Sequence, residues 1–253
     1  MKTAIQLTGQ SPSCFHRQWP LSPLALAMIP LLSSISCNVP GPNVPPSSQT
    51  TLAPQFPGIQ IDAKAGVIDL EAIVVQREAK WLELLAASPG TREHETIVTV
   101  TARPSQIHLA LILLGLEPGQ PTTARRSEDQ WLVEPPSGPP VEVFFVWEQG
   151  GREQQIPAHL WVQNQQTGRP LQDNIWLFSG SRFQSWRGQK HYLADDNGTV
   201  ISLVNFGDDL LARRTHLSNQ TDNQIWSPAT DRIPAIGTHL TLRLRVVRTG
   251  PSP

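Results

Sequence analysis

Proline sets the first limit on this chain. Its 253 residues include 24 prolines against 17 glycines. Each proline fixes φ near about −65° and removes a backbone donor, so a helix cannot run through one undisturbed. The sequence between the prolines reads as many short segments, most of them strands. "IQIDAKAGVIDLEAIVV" pairs two apolar runs around Ala65-Gly66. "VEVFFVWEQGGREQQI" places Val141, Val143, Phe145 and Trp147 on one face and predicts a hairpin turning at Gly150-Gly151. "KWLELLAAS", the run from Glu95 to Ala102 and "NIWLFSGSRF" read as further strands. "KHYLADDNGTVISLVNF" predicts a second hairpin, turning at Asn197-Gly198. "HLTLRLRVV" puts Leu240, Leu242, Leu244 and Val246 on a common face.

One stretch has helical character. Pro104 suits a first helical turn, Ser105 a cap and Gly115 a stop. The residues between are apolar almost all round, which predicts a deeply buried helix over about residues 105–114. Ala158 to Gln163 has room for a second short one. The expected class is therefore α+β, mainly antiparallel β with one buried helix.

The first 36 residues read as an export signal. Lys2, His16 and Arg17 precede the apolar run Leu21 to Leu32, which is shorter than the roughly 20 residues that span a bilayer but suits the core of a secretory signal. "SSISC" then resembles the bacterial lipobox, in which cleavage precedes an acylated cysteine. Ile35, Ser36 and Cys37 fit that pattern, and Ser34 departs from its aliphatic position. The expectation is a lipoprotein-type signal peptide over 1–36, a lipidated Cys37, a proline-rich tether over 37–57 and a single β-rich domain over 58–250. Extended at about 3.1 Å per residue, such a tether could hold the domain up to roughly 60 Å from a membrane. The expected location is the bacterial cell envelope, lipid-anchored, with a soluble secreted or periplasmic protein as the alternative.

Charge and cysteine usage exclude whole classes of chemistry. Formal net charge is −1 and only 16% of residues are charged, so no basic surplus exists to neutralise a phosphate backbone, and nucleic acid is a poor partner. Cys14 and Cys37 are the only cysteines. A domain starting at residue 58 can hold no disulfide, thiolate zinc site, iron–sulfur cluster or cysteine nucleophile. No dinucleotide glycine motif and no P-loop is present. No cofactor is expected.

Several stretches, in order, resemble the YdjY-domain family of exported bacterial proteins: "LEAIVV", "KWLELLAASPGTREHETIVTV", "RPSQIHLALILLGLEPGQP", "IPAHLWV", "WLFSGSRF" and "YLADDNGTVISLVNF". The similarity covers roughly Gly58 to Val247. It implies export and a single fold, and no reaction. Some relatives are described as ferredoxin-like or iron–sulfur proteins, an attribution that a domain without cysteine cannot inherit.

The polar cluster Arg92, Glu93, His94 and Glu95 is the candidate recognition site. On a regular strand His94 shares the inward face with Val98 and Val100, while Glu93 and Glu95 point outward. Two roles remain open: a structural histidine at a strand end, whose loss would destabilise the fold, and a ligand-recognition edge. His94 with a carboxylate such as Glu93 would serve a hydrolase-type enzyme, the runner-up to a binding or scaffolding role. Strand rise places His94 well over about 10 Å from His108, which argues against a shared metal. His108 reads as a core histidine bonded to a backbone carbonyl. Asp195, Asp196 and Asn197 lack the alternating oxygen ligands of a calcium loop. Ser179-Gly180-Ser181 lacks nucleophile-elbow spacing. No catalytic residue and no metal ligand is assigned.

Eight tryptophans stand against one tyrosine. Trp81, Trp147, Trp161, Trp176 and Trp226 could stack on sugar rings or fill a core, and the core reading is favoured. The expected partners are the membrane, through the lipid, and an envelope protein or polysaccharide not identified by the sequence.

Overall fold

The computed structural model describes residues 56–127, 130–215, 217 and 224–248. The expected signal, lipidated Cys37 and almost all of the tether lie outside them. The chain opens with β1 (Ile59–Asp62), β2 (Val67–Val74), β3 (Leu84–Ala87), β4 (Thr96–Val100) and helix α1 (Pro104–Leu113). The ribbon β5 (Thr123–Ser127) and β6 (Gln130–Glu134) follows, then β7 (Pro140–Gln149), β8 (Arg152–Pro157) and β9 (Val162–Asn164). The second half holds β10 (Ile175–Phe178), β11 (Phe183–Trp186), β12 (Gln189–Tyr192), helix α2 (Leu193–Asn197), β13 (Thr199–Ser202), β14 (Leu211–Ala212), β15 (Trp226–Pro228) and β16 (His239–Val246).

Eight strands close on themselves in the order β2-β16-β7-β10-β14-β13-β3-β4, and β4 pairs back onto β2 through Ala72–Val74 and Val98–Val100. The pairs β3–β4 and β13–β14 are parallel, and the other pairs around the ring are antiparallel. β1 extends the sheet from the other half of the same β2 edge, and β8 extends it from β7. Closure removes the unpaired backbone edges that an open sheet would expose.

Period-2 alternation fills the interior. Ile68, Leu70, Ala72 and Val74 of β2 are buried, as are Leu240, Leu242 and Leu244 of β16 and Val141, Val143 and Phe145 of β7. Trp161 stacks on Phe145 with ring centroids 4.0 Å apart. Trp176 is equally buried and donates its indole N–H to the carbonyl of Ser202 at 3.0 Å. Each large apolar side chain so buried contributes about 1.5–3 kcal/mol. The Gly150-Gly151 hairpin forms as the sequence predicts, with positive φ at both glycines.

Three expectations are corrected. Helix α1 forms, but only Pro104, Ile107, Ala110 and Leu111 are buried, while Leu109, Ile112 and Leu113 are 41–47% exposed. It packs one side against a barrel that is already closed, so it is not deeply buried. The Asn197-Gly198 pair makes no hairpin. Gly198, at φ 72°, ends helix α2, and its N–H bonds the carbonyl of Ala194. β13 then pairs with β3 and β14 instead of β12. Finally, the strand expected from Glu95 begins only at Thr96, because Glu93–Glu95 forms a 3-10 turn. The short helical turn near Ala158 is also 3-10, over Ala158–Trp161.

Candidate functional site at the Arg92–Glu95 turn

The turn that precedes β4 is built from its own side chains. Gly90 adopts φ 73°, and its N–H donates to the Glu93 carboxylate at 2.8 Å. The Thr91 hydroxyl donates to the carbonyl of Ser88 at 2.6 Å, and a Cβ added at Gly198 would fall 2.3 Å from that Thr91 oxygen. The 88–91 loop and the end of α2 are thus locked together, and only glycine fits at 198. Glu95 donates its N–H to the carbonyl of Arg92, closing the 3-10 turn.

Among Arg92, Glu93, His94 and Glu95, that turn exchanges the surroundings expected of His94 and Glu95, while Glu93 is exposed as expected. Glu95 is buried, whereas the His94 side chain is 76% exposed. Arg92 donates to Glu95 at 3.2 Å while its guanidinium lies 4.3 Å from the Phe206 ring centroid. His94 Nε2 stays 3.8 Å from the other Glu95 oxygen, beyond hydrogen-bond reach. Glu93 is occupied with Gly90. Of the four residues, Arg92 and Glu95 are joined by an ion pair, with His94 at its margin.

The missing member is Glu83, one residue before β3. Its N–H donates to the carbonyl of Glu95 at 3.1 Å, and its own carbonyl accepts from Leu203 at 2.8 Å. Burial first, then the Glu95 charge and a hydrogen bond to that carboxylate, push the Glu83 carboxyl up to about 7, and Arg92 partly opposes them. Glu83 therefore keeps its proton to a higher pH than an ordinary carboxyl does. The sequence signal was a lone acid inside the apolar run "WLELLAA".

A second withdrawn acid lies in the turn between β13 and β14. Asp209 is fully buried and accepts hydrogen bonds from the Ser202 hydroxyl, the Phe206 N–H and the Gly207 N–H. Burial pushes it up to about 6, against the pull of those donors. Its neighbour Asp208 accepts from the Asn197 amide through one oxygen, and the other oxygen is buried without a partner among the described residues.

Elsewhere the singled-out residues have structural surroundings. Tyr192 donates to the carbonyl of Gly180 at 3.0 Å and lies 2.8 Å from His108 Nδ1, so His108 meets a tyrosine hydroxyl as well as the Gly180 carbonyl. Burial lowers the His108 pKa. Asp195 accepts from both the N–H and the hydroxyl of Ser105, capping α1 from α2, and Asp196 lies 3.1 Å from His191. Ser179 donates to the carbonyls of Asp209 and Leu210, and the Ser181 hydroxyl accepts from Ala194. No cluster of three or more His, Cys, Asp or Glu side chains among the described residues is placed to hold a metal. Trp161 and Trp176 belong to the core, Trp147 and Trp226 pack against it, and Trp81 is half-buried. Trp186, which sequence reasoning did not single out, stands in solvent. An open groove of about 580 Å³ on the barrel's outer face is lined by Glu71, Glu148, Glu153, His239 and Thr241, among others.

A family model described as the YdjY domain matches residues 59–245. No curated protein and no solved structure matches the chain.

Proposed function

Because this chain belongs to the YdjY domain family, we propose that it is an envelope-anchored lipoprotein whose barrel binds or scaffolds rather than catalyses. One observation carries the binding half of this reading: the barrel is filled by its own side chains. Phe145, Trp161, Trp176 and Phe178 are at or near zero exposure, so recognition has to use the outer surface. That surface offers the groove beside Glu71 and His239 and the rim of Arg92 and His94. A hydrolase built on His94 gains no support, since its ring faces water and neither Glu93 nor Glu95 is within hydrogen-bond reach to orient it. The buried tryptophans likewise give little support to a sugar-stacking module.

The anchoring half rests on the apolar run followed by "SISC". No helix among the described residues is long and apolar enough to cross a membrane. Dual or triple acylation holds a protein at a bilayer because each buried CH₂ contributes about 0.8 kcal/mol. Metabolic labelling with a fatty-acid analogue is expected to mark the wild type and to leave Cys37→Ser unmarked. Label that persists in Cys37→Ser would remove the anchor from the proposal.

A further inference from the structure

We propose that the β11–β12 hairpin is a second membrane contact, entering the headgroup layer of an anionic bilayer tip first. The reading deepens the envelope-anchored one and takes from it only the nearness of a membrane. The hairpin pairs Phe183 with Tyr192 and Trp186 with Gln189 around a tight turn at Arg187 and Gly188, whose φ values are 50° and 77°. Positive φ at both positions gives the primed turn that suits a short, twisted ribbon. Every residue of β11 is exposed. Phe183 is 58% and Trp186 61% exposed, an unusual investment of large apolar surface in water.

Register decides what such a hairpin can bind. Side chains alternate faces along a strand, so Phe183 and Trp186 point to opposite sides of the ribbon. A flat sugar ring or a protein groove would cover one side and leave the other aromatic wet. An apolar medium that takes in the short hairpin, roughly 10 Å from Trp186 beside the turn to Phe183 at the base, covers both. The charges point to the same occupant. Arg182, Arg187 and Lys190 are exposed, and the segment between Arg182 and Lys190 contains no carboxylate. Lys190 Nζ lies 4.4 Å from the Phe183 ring centroid and the Arg187 guanidinium 5.9 Å from that of Trp186. On the neighbouring helix Asp195 is bonded to Ser105, and Asp196 meets His191 of β12, opposite Gln184 and away from the turn. Aromatic rings flanked by cations match the boundary between acyl chains and anionic headgroups, where the ring is buried and the cation stays with phosphate.

The test uses the full chain with phosphatidylcholine vesicles, with and without phosphatidylglycerol, and reads quenching of tryptophan fluorescence by brominated acyl chains. Wild type is expected to be quenched on the anionic vesicles, and Trp186→Ala to lose that quenching while keeping its circular dichroism spectrum. In a Cys37→Ser background, Trp186→Ala is expected to weaken partitioning about tenfold. Arg187→Gln and Lys190→Gln are each expected to weaken it about fivefold. Equal quenching of wild type and Trp186→Ala, or quenching indifferent to lipid charge, overturns the proposal. A Trp186 emission shift with soluble polysaccharide and none with vesicles also overturns it, in favour of a glycan. Vesicle flotation of wild type against Cys37→Ser reports the lipid anchor separately. Loss of flotation only in Cys37→Ser, with quenching unchanged in Trp186→Ala, would leave the anchor standing and remove the hairpin contact.

Discussion

Asp209 and Glu83 are both carboxyls that burial raises above their ordinary range, yet they are held in different ways. Around Asp209 the donors are a hydroxyl and two backbone N–H groups fixed in one turn. Around Glu83 the neighbours are a second carboxylate, Glu95, and a cation at the rim, Arg92. Neutral donors at fixed positions convert a buried acid into a structural joint, because removing the acid leaves each donor unsatisfied. Asp208 adds a like charge at Asp209 too, but at Glu83 the charge of Glu95 acts without such a set of donors, and the carboxyl rises to about 7 rather than about 6. The first arrangement belongs to architecture. The second titrates nearer neutral pH, at the rim where Arg92 and His94 reach solvent.

The largest effect should come from the joint. Asp209→Ala strands the Ser202 hydroxyl and two N–H groups in the interior, and is expected to cost about 3–5 kcal/mol, read from the midpoint of urea unfolding. A cost below about 1 kcal/mol would mean that the turn reorganises and that the contrast with Glu83 is false.

Arg92→Ala comes next. It removes a largely buried ion pair and the cation over Phe206, with an expected loss of about 1–2 kcal/mol. Because Arg92 lowers the Glu83 pKa, the same variant should also move the titration of Glu83 upward.

The pH dependence sharpens the comparison further. Glu83 is raised from 4.5 to about 7, so the native state holds a proton that the unfolded chain has released over that interval. Stability is therefore greatest toward pH 4.5 and falls as pH rises to about 7, then levels. Asp209 acts with the same sign, but its window, from 3.8 to about 6, closes earlier. Melting temperature followed between about pH 6 and pH 8 is expected to decline in the wild type and to flatten in Glu83→Gln. A decline unchanged in Glu83→Gln would assign the proton to another group.

The smallest effect is expected at the residue that first draws the eye. His94→Ala should stay within about 0.5 kcal/mol, since its ring is solvated and lies 3.8 Å from Glu95. The strand alternation had predicted a clear loss of stability at His94 and none at Glu95, and the 3-10 turn exchanges the two. A large loss in His94→Ala would restore the strand reading and break the account of the turn.

What the sequence determined by itself was local. Alternation in β7 and β16 and the Gly150-Gly151 pair specify strands and a turn, because side-chain period and positive φ act over a few residues. The scarcity of cysteine, the apolar run before Cys37 and the family pattern were equally legible. Tertiary structure decided the rest. Closure of the barrel depends on Val98–Val100 meeting Ala72–Val74, and the bidentate pair of Arg243 with Asp69 joins residues 174 positions apart. Gly198 could have turned a hairpin or ended a helix. The choice follows from Thr91, which approaches it from another loop, and from Asp195, which reaches across to cap α1. Whether an acid is buried, and beside what, is likewise set by neighbours distant in sequence: Glu83 holds its proton because the fold first buries it and then sets Glu95 against it. Spacing along the chain carries periodicity and turn chemistry, whereas desolvation and charge proximity exist only once non-adjacent strands have met.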